Sequence, residues 1–203
     1  MNIKKICLIL LIGLFSCNKE EKKSINKIET EKTEVLEFEI VKPAELEKNV
    51  DDFFLNVSKI EILAYLDRNK WDKLDNPDYR NPSYIKNNKI EIKDKYLRNR
   101  IVLSNSQIKE LQAGFKKGYY DYSAACYDPR HAIIFYDKND VIIGNIEICF
   151  ECNNVSSSKN LYNIGMSASN QFDLFKKFGI TYFEDTKEEY DTFLNNLDKS
   201  TNE

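Results

Sequence analysis

One stretch, residues 126–152, constrains the fold more than any other part of the chain. It contains every cysteine beyond residue 17, the only histidine, and the two runs with the strongest strand pattern. Asn139 and Asp140 lie between these runs as a turn signal. The sequence therefore predicts a β-hairpin with strands over about 131–138 and 141–150.

The same pattern predicts which side chains face the core. With Asn139 and Asp140 as a two-residue loop, Ile133 lies opposite Ile146, and side chains alternate between faces. The more apolar face is expected to pack on the core and carries His131, Ile133, Phe135, Ile142, Ile146, Ile148 and Phe150. The mixed face is expected to be partly covered and carries Arg130, Ala132, Ile134, Tyr136, Val141, Ile143, Asn145, Glu147 and Cys149.

The rest of the chain predicts alternating helices and strands around this hairpin. Before the hairpin we expect a helix over 43–54, a strand over 57–66, a long or bent strand over 89–103, and a helix from the capping box Ser104–Gln107 to Gly118. After the hairpin we expect a flexible loop over 153–160, then a helix that carries Phe172, Phe175 and Phe178 and ends at Gly179. A short strand over 180–183 and a helix that begins with a capping box at 185–188 complete the order. This order predicts a single α+β domain over 43–198, with an antiparallel sheet covered by helices and a disordered tail over 199–203.

The N-terminus has the pattern of a secretion signal. Lys4 and Lys5 precede an apolar run of ten residues, Ile6–Phe15, whereas a membrane-spanning helix needs roughly 20 apolar residues. Leu14-Phe15-Ser16-Cys17 closes the run and resembles the lipobox of bacterial lipoproteins, although Phe15 is bulkier than the usual small residue. The resemblance implies that residues 1–16 are removed and that Cys17 becomes the acylated first residue. A plain signal peptide with a chance cysteine is the alternative.

Residues 17–42 are predicted to form a lipidated cysteine and a charged tether, because Lys, Glu, Asn and Thr dominate and cannot bury enough apolar surface. Asn18-Lys19-Glu20-Glu21 resembles the signal that some bacteria use to send lipoproteins to the outer face of the outer membrane. An ordinary charged linker fits the same residues. Because lipoprotein cysteines carry several acyl chains, the resemblance implies stable attachment to that membrane.

The charge balance disfavours nucleic acid as a partner. Removal of Lys4 and Lys5 with the leader moves the formal net charge from −3 to −5, and phosphate binding needs clustered Lys and Arg.

Three cysteines remain in the folded part, an odd number for an oxidising compartment. In the predicted register position 126 projects toward position 153, so Cys126 is expected near Cys149 or Cys152. The leading interpretation is one structural disulfide from Cys126, with Cys152 slightly favoured over Cys149, one thiol left over, and no cofactor.

Two alternatives use the same residues. Cys126, His131, Cys149 and Cys152 could form a zinc site, since Cys-x-x-Cys is common zinc-ligand spacing; His131 and Cys149 are, however, predicted to point to opposite faces. A thiol–disulfide enzyme is the second alternative, but no convincing helix follows Cys149 and Cys152, as that chemistry requires.

Arg130, His131 and Glu147 form a possible polar site. Arg130 and Glu147 share a face of the hairpin, and a cross-strand ion pair is favoured over an acid/base couple. His131 is expected to be a partly buried hydrogen-bonding residue. The chain contains no Gly-rich phosphate loop, no HExxH motif and no Ser elbow, so no catalytic residue is assigned.

Residues 126–152, in particular Pro129–Asp137 and Ile146–Cys152, resemble the core of a group of small bacterial lipoproteins of unknown function. The resemblance implies a fold and a membrane address, with no activity attached. The sequence favours a lipid-anchored binding or interaction protein of the envelope, with an unknown protein or small-molecule partner, over an enzyme.

Overall fold

The computed structural model describes residues 40–41, 44–71, 84–120 and 124–192. These residues fall within one compact unit, Glu37–Glu203. The predicted signal peptide over 1–16, the lipidated Cys17, most of the tether predicted over 17–42 and the tail over 199–203 lie outside the described residues, so they stay predictions. The tether prediction is wrong for residues 40–41, which form a strand that pairs with residues 119–120.

The described residues form nine strands and five helices. The strands are β1 (Ile40–Val41), β2 (Lys59–Tyr65), β3 (Ile85–Lys86), β4 (Lys89–Ile90), β5 (Leu97–Val102), β6 (Tyr119–Tyr120), β7 (His131–Tyr136), β8 (Ile142–Cys149) and β9 (Asn154–Ser157). The helices are α1 (Ala44–Phe54), α2 (Asn105–Phe115), α3 (Tyr162–Gly165), α4 (Phe172–Phe178) and α5 over residues 187–192. Single 3₁₀ turns cover Arg68–Lys70, Lys159–Leu161 and Met166–Asn170.

The main sheet has five antiparallel strands in the order β5-β2-β7-β8-β9. Its centre is the predicted hairpin, β7–β8, which β2 extends on one side and β9 on the other. Two small antiparallel pairs, β1–β6 and β3–β4, lie outside this sheet. A single α+β domain with an open antiparallel sheet around a central hairpin is therefore confirmed.

One face of the sheet packs against the helices and forms the larger core. Ile62, Ile133 and Ile146 lie side by side across three strands on this face and are fully buried. The helices contribute buried apolar side chains at helical spacing: Leu46, Val50 and Phe54 from α1, Leu111 and Phe115 from α2, and Phe175 and Phe178 from α4. Burial of these stripes is the main force that holds the helices to the sheet.

The opposite face is covered by residues 66–71 and 84–96, which are the described residues between β2 and β5. Trp71, Tyr84 and Tyr96 pack there against Tyr65 of β2. The Trp71 ring stacks on Tyr96 at a centroid distance of 4.8 Å, and its Nε1 donates to the Leu66 carbonyl at 2.7 Å. The mixed face of the hairpin is thus covered more completely than expected, because all six residues of β7 are buried.

The hairpin register is confirmed over most of its length, with Ile133 opposite Ile146. The predicted two-residue loop is wrong, since the strands stop at Tyr136 and restart at Ile142. The Asp137 carboxylate accepts from the backbone N–H groups of Asn139 and Val141 at 2.8 and 2.9 Å, which closes a wider turn.

A register shift between Phe135 and Tyr136 accompanies this turn and exchanges two side chains. Ile142 packs in the aromatic cluster and Ile143 packs against the helix-facing core, the reverse of the predicted assignment. A bulge of one residue is sufficient to change the faces, because side chains alternate along a strand.

The predictions from local helix signals are largely confirmed. Ser104 and Gln107 form the expected capping box at the start of α2. Gly179, with φ of +106°, ends α4 in the left-handed conformation that glycine adopts most easily. The last capping box forms one residue later than predicted, between Thr186 and Glu189.

Three predictions from strand and loop patterns are wrong. The expected loop over 153–160 contains the edge strand β9. Residues 89–103 form two separate strands, β4 and β5, in different sheets. Residues 180–183 are not a strand; the Asn99 carboxamide oxygen accepts from the N–H groups of Thr181 and Tyr182, both at 3.1 Å, and holds this segment beside β5.

Candidate functional site

The sequence-predicted site residues meet at the open end of the hairpin. There β2 ends, β7 begins and β8 ends, because Ala64 pairs with His131 and His131 pairs with Ile148. The Tyr65 N–H also donates to the Arg130 carbonyl at 2.9 Å. The loops that follow or precede these strands, residues 66–71, 124–130 and 150–153, are therefore close together.

The sulfur atoms of Cys126 and Cys152 lie within covalent bonding distance, with their Cα atoms 5.8 Å apart. This is the pairing that the sequence slightly favoured. The Ala124 N–H donates to the Cys152 carbonyl at 2.8 Å beside it. Cys149 is unpaired in the part of the chain that the structure describes and is 1% exposed; burial raises the pKa of its thiol.

The four residues of the zinc alternative are not brought together. His131 points to the helix-facing side, where its ring packs against Phe150, Phe175 and Phe183. Its Nε2 donates to the Tyr182 carbonyl at 2.8 Å. Within the described ranges, no group of three or more His, Cys, Asp and Glu side chains is arranged to hold a metal ion.

The predicted ion pair between Arg130 and Glu147 is wrong. Glu147 is fully buried and accepts from Arg68 Nη2 at 2.7 Å, from the Tyr65 hydroxyl at 2.6 Å and from the Tyr127 hydroxyl at 3.1 Å. Burial raises the pKa of the Glu147 carboxyl to about 7, against the opposing effects of Arg68 and the two tyrosines. These partners come from three loops or strand ends, so hairpin register alone could not identify them.

Arg130 lies in a second charged cluster at the same end of the sheet. Its guanidinium is 3.4 Å from Asp185 and from Glu151, and 4.0 Å from Asp67. Asp185 also pairs with Lys70 and accepts from the Tyr182 hydroxyl at 2.7 Å. This cluster connects the loop after β2 to the segment after α4.

The open end of the hairpin is therefore held together by the Cys126–Cys152 disulfide, the buried Arg68–Glu147 ion pair and the charged cluster around Arg130. Arg130, His131 and Glu147 each have protein partners there, and His131 lies on the other face of the sheet from Glu147. No sequence pattern identified Arg68 as a partner of Glu147. It lies three residues after the end of the buried strand β2.

Two open grooves flank α1 at other places on the surface. The first, about 370 Å³, is here called the α1–α3 groove and is lined by Glu45, Leu46, Asn49, Tyr119, Tyr162, Asn163 and Met166. The second, about 620 Å³, is called the hairpin-tip groove and is lined by Phe53, Leu55, Asn56, Val57, Ser58, Asp137, Lys138, Ile143 and Asn160.

Local structure explains how the α1–α3 groove forms. In α1 the buried Leu46 and Val50 face the core, which leaves Glu45 and Asn49 on the groove side. Gly118, with φ of +81°, turns the chain after α2 into β6, where Tyr119 pairs with Val41. In α3, Ile164 and Gly165 are buried, so Tyr162 and Asn163 point outward.

The two grooves differ in how their polar side chains are used. In the hairpin-tip groove Ser58 donates to the Tyr136 carbonyl at 3.3 Å, Asn160 donates to the Ile143 carbonyl at 2.8 Å, and Asp137 is occupied by its own turn. In the α1–α3 groove no polar side chain has a hydrogen-bond or ion-pair partner among the described residues, namely Glu45, Asn49, Tyr119, Tyr162 and Asn163.

Comparisons with protein-family models, with curated proteins and with solved structures found no match. Among the residues that the structure describes, no helix is long and apolar enough to cross a membrane. The lipobox at Leu14–Cys17 and the likeness of residues 126–152 to small lipoproteins stay predictions from sequence.

Thiol counting tests the arrangement of the three cysteines. Natively purified, processed protein should expose no reactive thiol, because Cys149 is buried, and should release one when denatured without reductant. Cys126→Ser should lower the free energy of unfolding by roughly 3–4 kcal/mol through loss of the closed loop. Cys149→Ser is the matched control and should keep the Cys126–Cys152 pair. Three thiols in the denatured protein would contradict the pairing.

The pH dependence of stability tests the environment of His131. Burial lowers the pKa of its imidazole to about 4, from an ordinary value of 6.5. As the pH falls, His131 is therefore protonated in the unfolded chain before it is protonated in the folded protein. The free energy of unfolding that the neutral imidazole contributes above pH 6.5 is lost as the pH falls toward 4. By pH 4.5 this loss amounts to about 2–3 kcal/mol.

His131→Gln keeps an N–H donor for the Tyr182 carbonyl but cannot titrate. Chemical denaturation of wild type and variant at pH 7 and 4.5 should show that the wild type loses more stability on acidification. The difference between the proteins is the informative quantity, because the raised pKa of Glu147 acts in the opposite direction between about pH 4.5 and 7. An equal change in both proteins would contradict the assignment.

Proposed function

We propose that this protein is a lipid-anchored binding protein of the bacterial envelope. Cys17 attaches it to the outer membrane, and the α1–α3 groove is the surface that receives its ligand. The leader and the lipobox pattern at Leu14–Cys17 support the anchor. The function is recognition rather than catalysis, and the partner is a molecule of the envelope or of the cell surroundings.

The observation that carries the binding proposal is the set of free polar groups in the α1–α3 groove. Buried or partly buried polar groups in proteins usually have hydrogen-bond partners. Here Asn49 and Tyr119 are partly buried without such a partner among the described residues, and Glu45, Tyr162 and Asn163 are exposed beside them, with Tyr162 81% exposed. A concave site with convergent polar groups and an aromatic side chain is typical of a ligand-binding surface.

Metabolic labelling tests the anchor. When the full gene is expressed in a bacterium that processes lipoproteins, radiolabelled palmitate should appear in the wild-type protein and not in Cys17→Ser. Cys7→Ser is the matched control, because it removes a cysteine from the apolar run and leaves the lipobox intact. Label in Cys17→Ser, or none in the wild type, would show that the anchor is wrong.

Retention on envelopes tests the groove. Full-length protein in mild detergent should bind saturably to envelopes from a strain that lacks the gene. Tyr162→Ala should reduce the affinity about tenfold or more, since a well-placed aromatic contact contributes about 0.5–1.5 kcal/mol beyond the area it buries. Tyr190→Ala, at a tyrosine that is 52% exposed on α5, should leave binding unchanged. Equal retention of all three proteins would contradict the proposed site.

A further inference from the structure

We infer that the ligand of the α1–α3 groove is an uncharged, hydroxyl-rich glycan. This inference rests on the proposed binding function and adds the chemical class of the ligand. Its basis is the combination of side chains that line the groove, their free hydrogen-bonding capacity, and the exposure of one aromatic ring.

The groove offers hydrogen-bond donors and acceptors in close alternation. Asn49 and Asn163 each bring two N–H donors and a carbonyl acceptor, the hydroxyls of Tyr119 and Tyr162 can do both, and the Glu45 carboxylate accepts. A sugar hydroxyl also donates and accepts. A ligand with a dense array of hydroxyls can therefore satisfy all five side chains.

An apolar ligand fits this surface poorly. Covering the five polar side chains without hydrogen bonds would cost about 1–3 kcal/mol for each group that loses contact with water. A ligand that carries its own donors and acceptors avoids this cost.

An anionic ligand is disfavoured as well. Phosphate and sulfate groups are bound by Arg, Lys or clustered backbone N–H groups. Among the described residues that line the α1–α3 groove none is basic, and Glu45 contributes a negative charge. Among glycans this favours neutral ones over those that carry phosphate, sulfate or uronic acid.

The apolar groups of the groove match the other surface of a sugar. A pyranose ring has C–H groups on its faces and hydroxyls on its rim. Leu46 and Met166 provide apolar surface, and the open ring of Tyr162 provides a flat platform on which such a face can lie. A cation would gain less here, because the face of an exposed ring contributes only about 0.5–1 kcal/mol to its binding.

The size of the groove is consistent with a short stretch of glycan. About 370 Å³ lies at the lower end of the range for small-molecule sites, roughly 300–1,000 Å³. The groove is open to solvent, so a longer chain can extend beyond it. A chain end or a few consecutive sugar rings would contact α1, β6 and α3 together.

The experiment is a binding titration of full-length protein in mild detergent with neutral oligosaccharides: α- and β-linked glucose hexamers, a mannose oligomer and an N-acetylglucosamine tetramer. At least one should bind with a Kd between about 10 μM and 1 mM. Tyr162→Ala and Asn49→Ala should each weaken binding about tenfold or more, whereas Tyr162→Phe should keep most of the affinity through its ring. Tyr190→Ala should have no effect.

Competing ligand classes are tested with the same proteins. Choline, a lysine-rich peptide and a sulfated glucose oligomer should bind more weakly than the best neutral glycan, and Glu45→Gln should improve binding of the sulfated one. Tighter binding of any of the three than of every neutral glycan would overturn the inference. Glycan binding that is unchanged by both Tyr162→Ala and Asn49→Ala would overturn it too.

Failure of this inference is distinguishable from failure of the proposed function. If no neutral glycan binds but retention on envelopes still depends on Tyr162, the glycan class is wrong and the groove remains a binding site. If neither the glycans nor the envelopes distinguish Tyr162→Ala from wild type, both proposals are wrong.

Discussion

The fold depends on the compensation of one buried carboxylate. Glu147 lies near the end of β8, at the open end of the hairpin, with no exposed surface, and an unpaired charge there would cost several kcal/mol. Arg68 and the hydroxyls of Tyr65 and Tyr127 provide that compensation. Arg68 lies in residues 66–71, which pack on the sheet through Leu66 and Trp71, so the carboxylate is compensated only when these residues are in place.

The other contacts at this end of the hairpin act together with that pair. The Cys126–Cys152 disulfide joins the loop before β7 to the loop after β8. The cluster around Arg130 and Asp185 connects the loop after β2 with the segment after α4. Four segments that are far apart in sequence, three loops and the segment after α4, are thus fixed at one end of the sheet, whereas the free polar groups lie beside α1. The residues that fix the fold are thus separated from those of the proposed binding groove.

The predictable parts of the fold were those set by local patterns. The alternation of apolar and polar residues predicted the hairpin register, with Ile133 opposite Ile146, because it depends on the two strands alone. The Ser104–Gln107 capping box likewise marks a helix start without other parts of the chain. β9 was missed because Asn154–Ser157 contains a single apolar residue, Val155, which packs against the core but shows no alternating pattern by itself. The Glu147 partners were missed because Arg68, Tyr65 and Tyr127 approach it only after tertiary closure, and Arg130 had the more obvious sequence position.

The α1–α3 groove is assembled from three distant parts of the chain: residues 45–49, residue 119 and residues 162–166. No fragment that lacks one of these parts contains the whole groove. A molecule that occupies it binds the native state and not the unfolded chain, so by mass action it raises the free energy of unfolding, by about 2.7 kcal/mol at a concentration one hundred times its Kd. Thermal melting in the presence of a candidate compound is therefore a direct assay for occupancy.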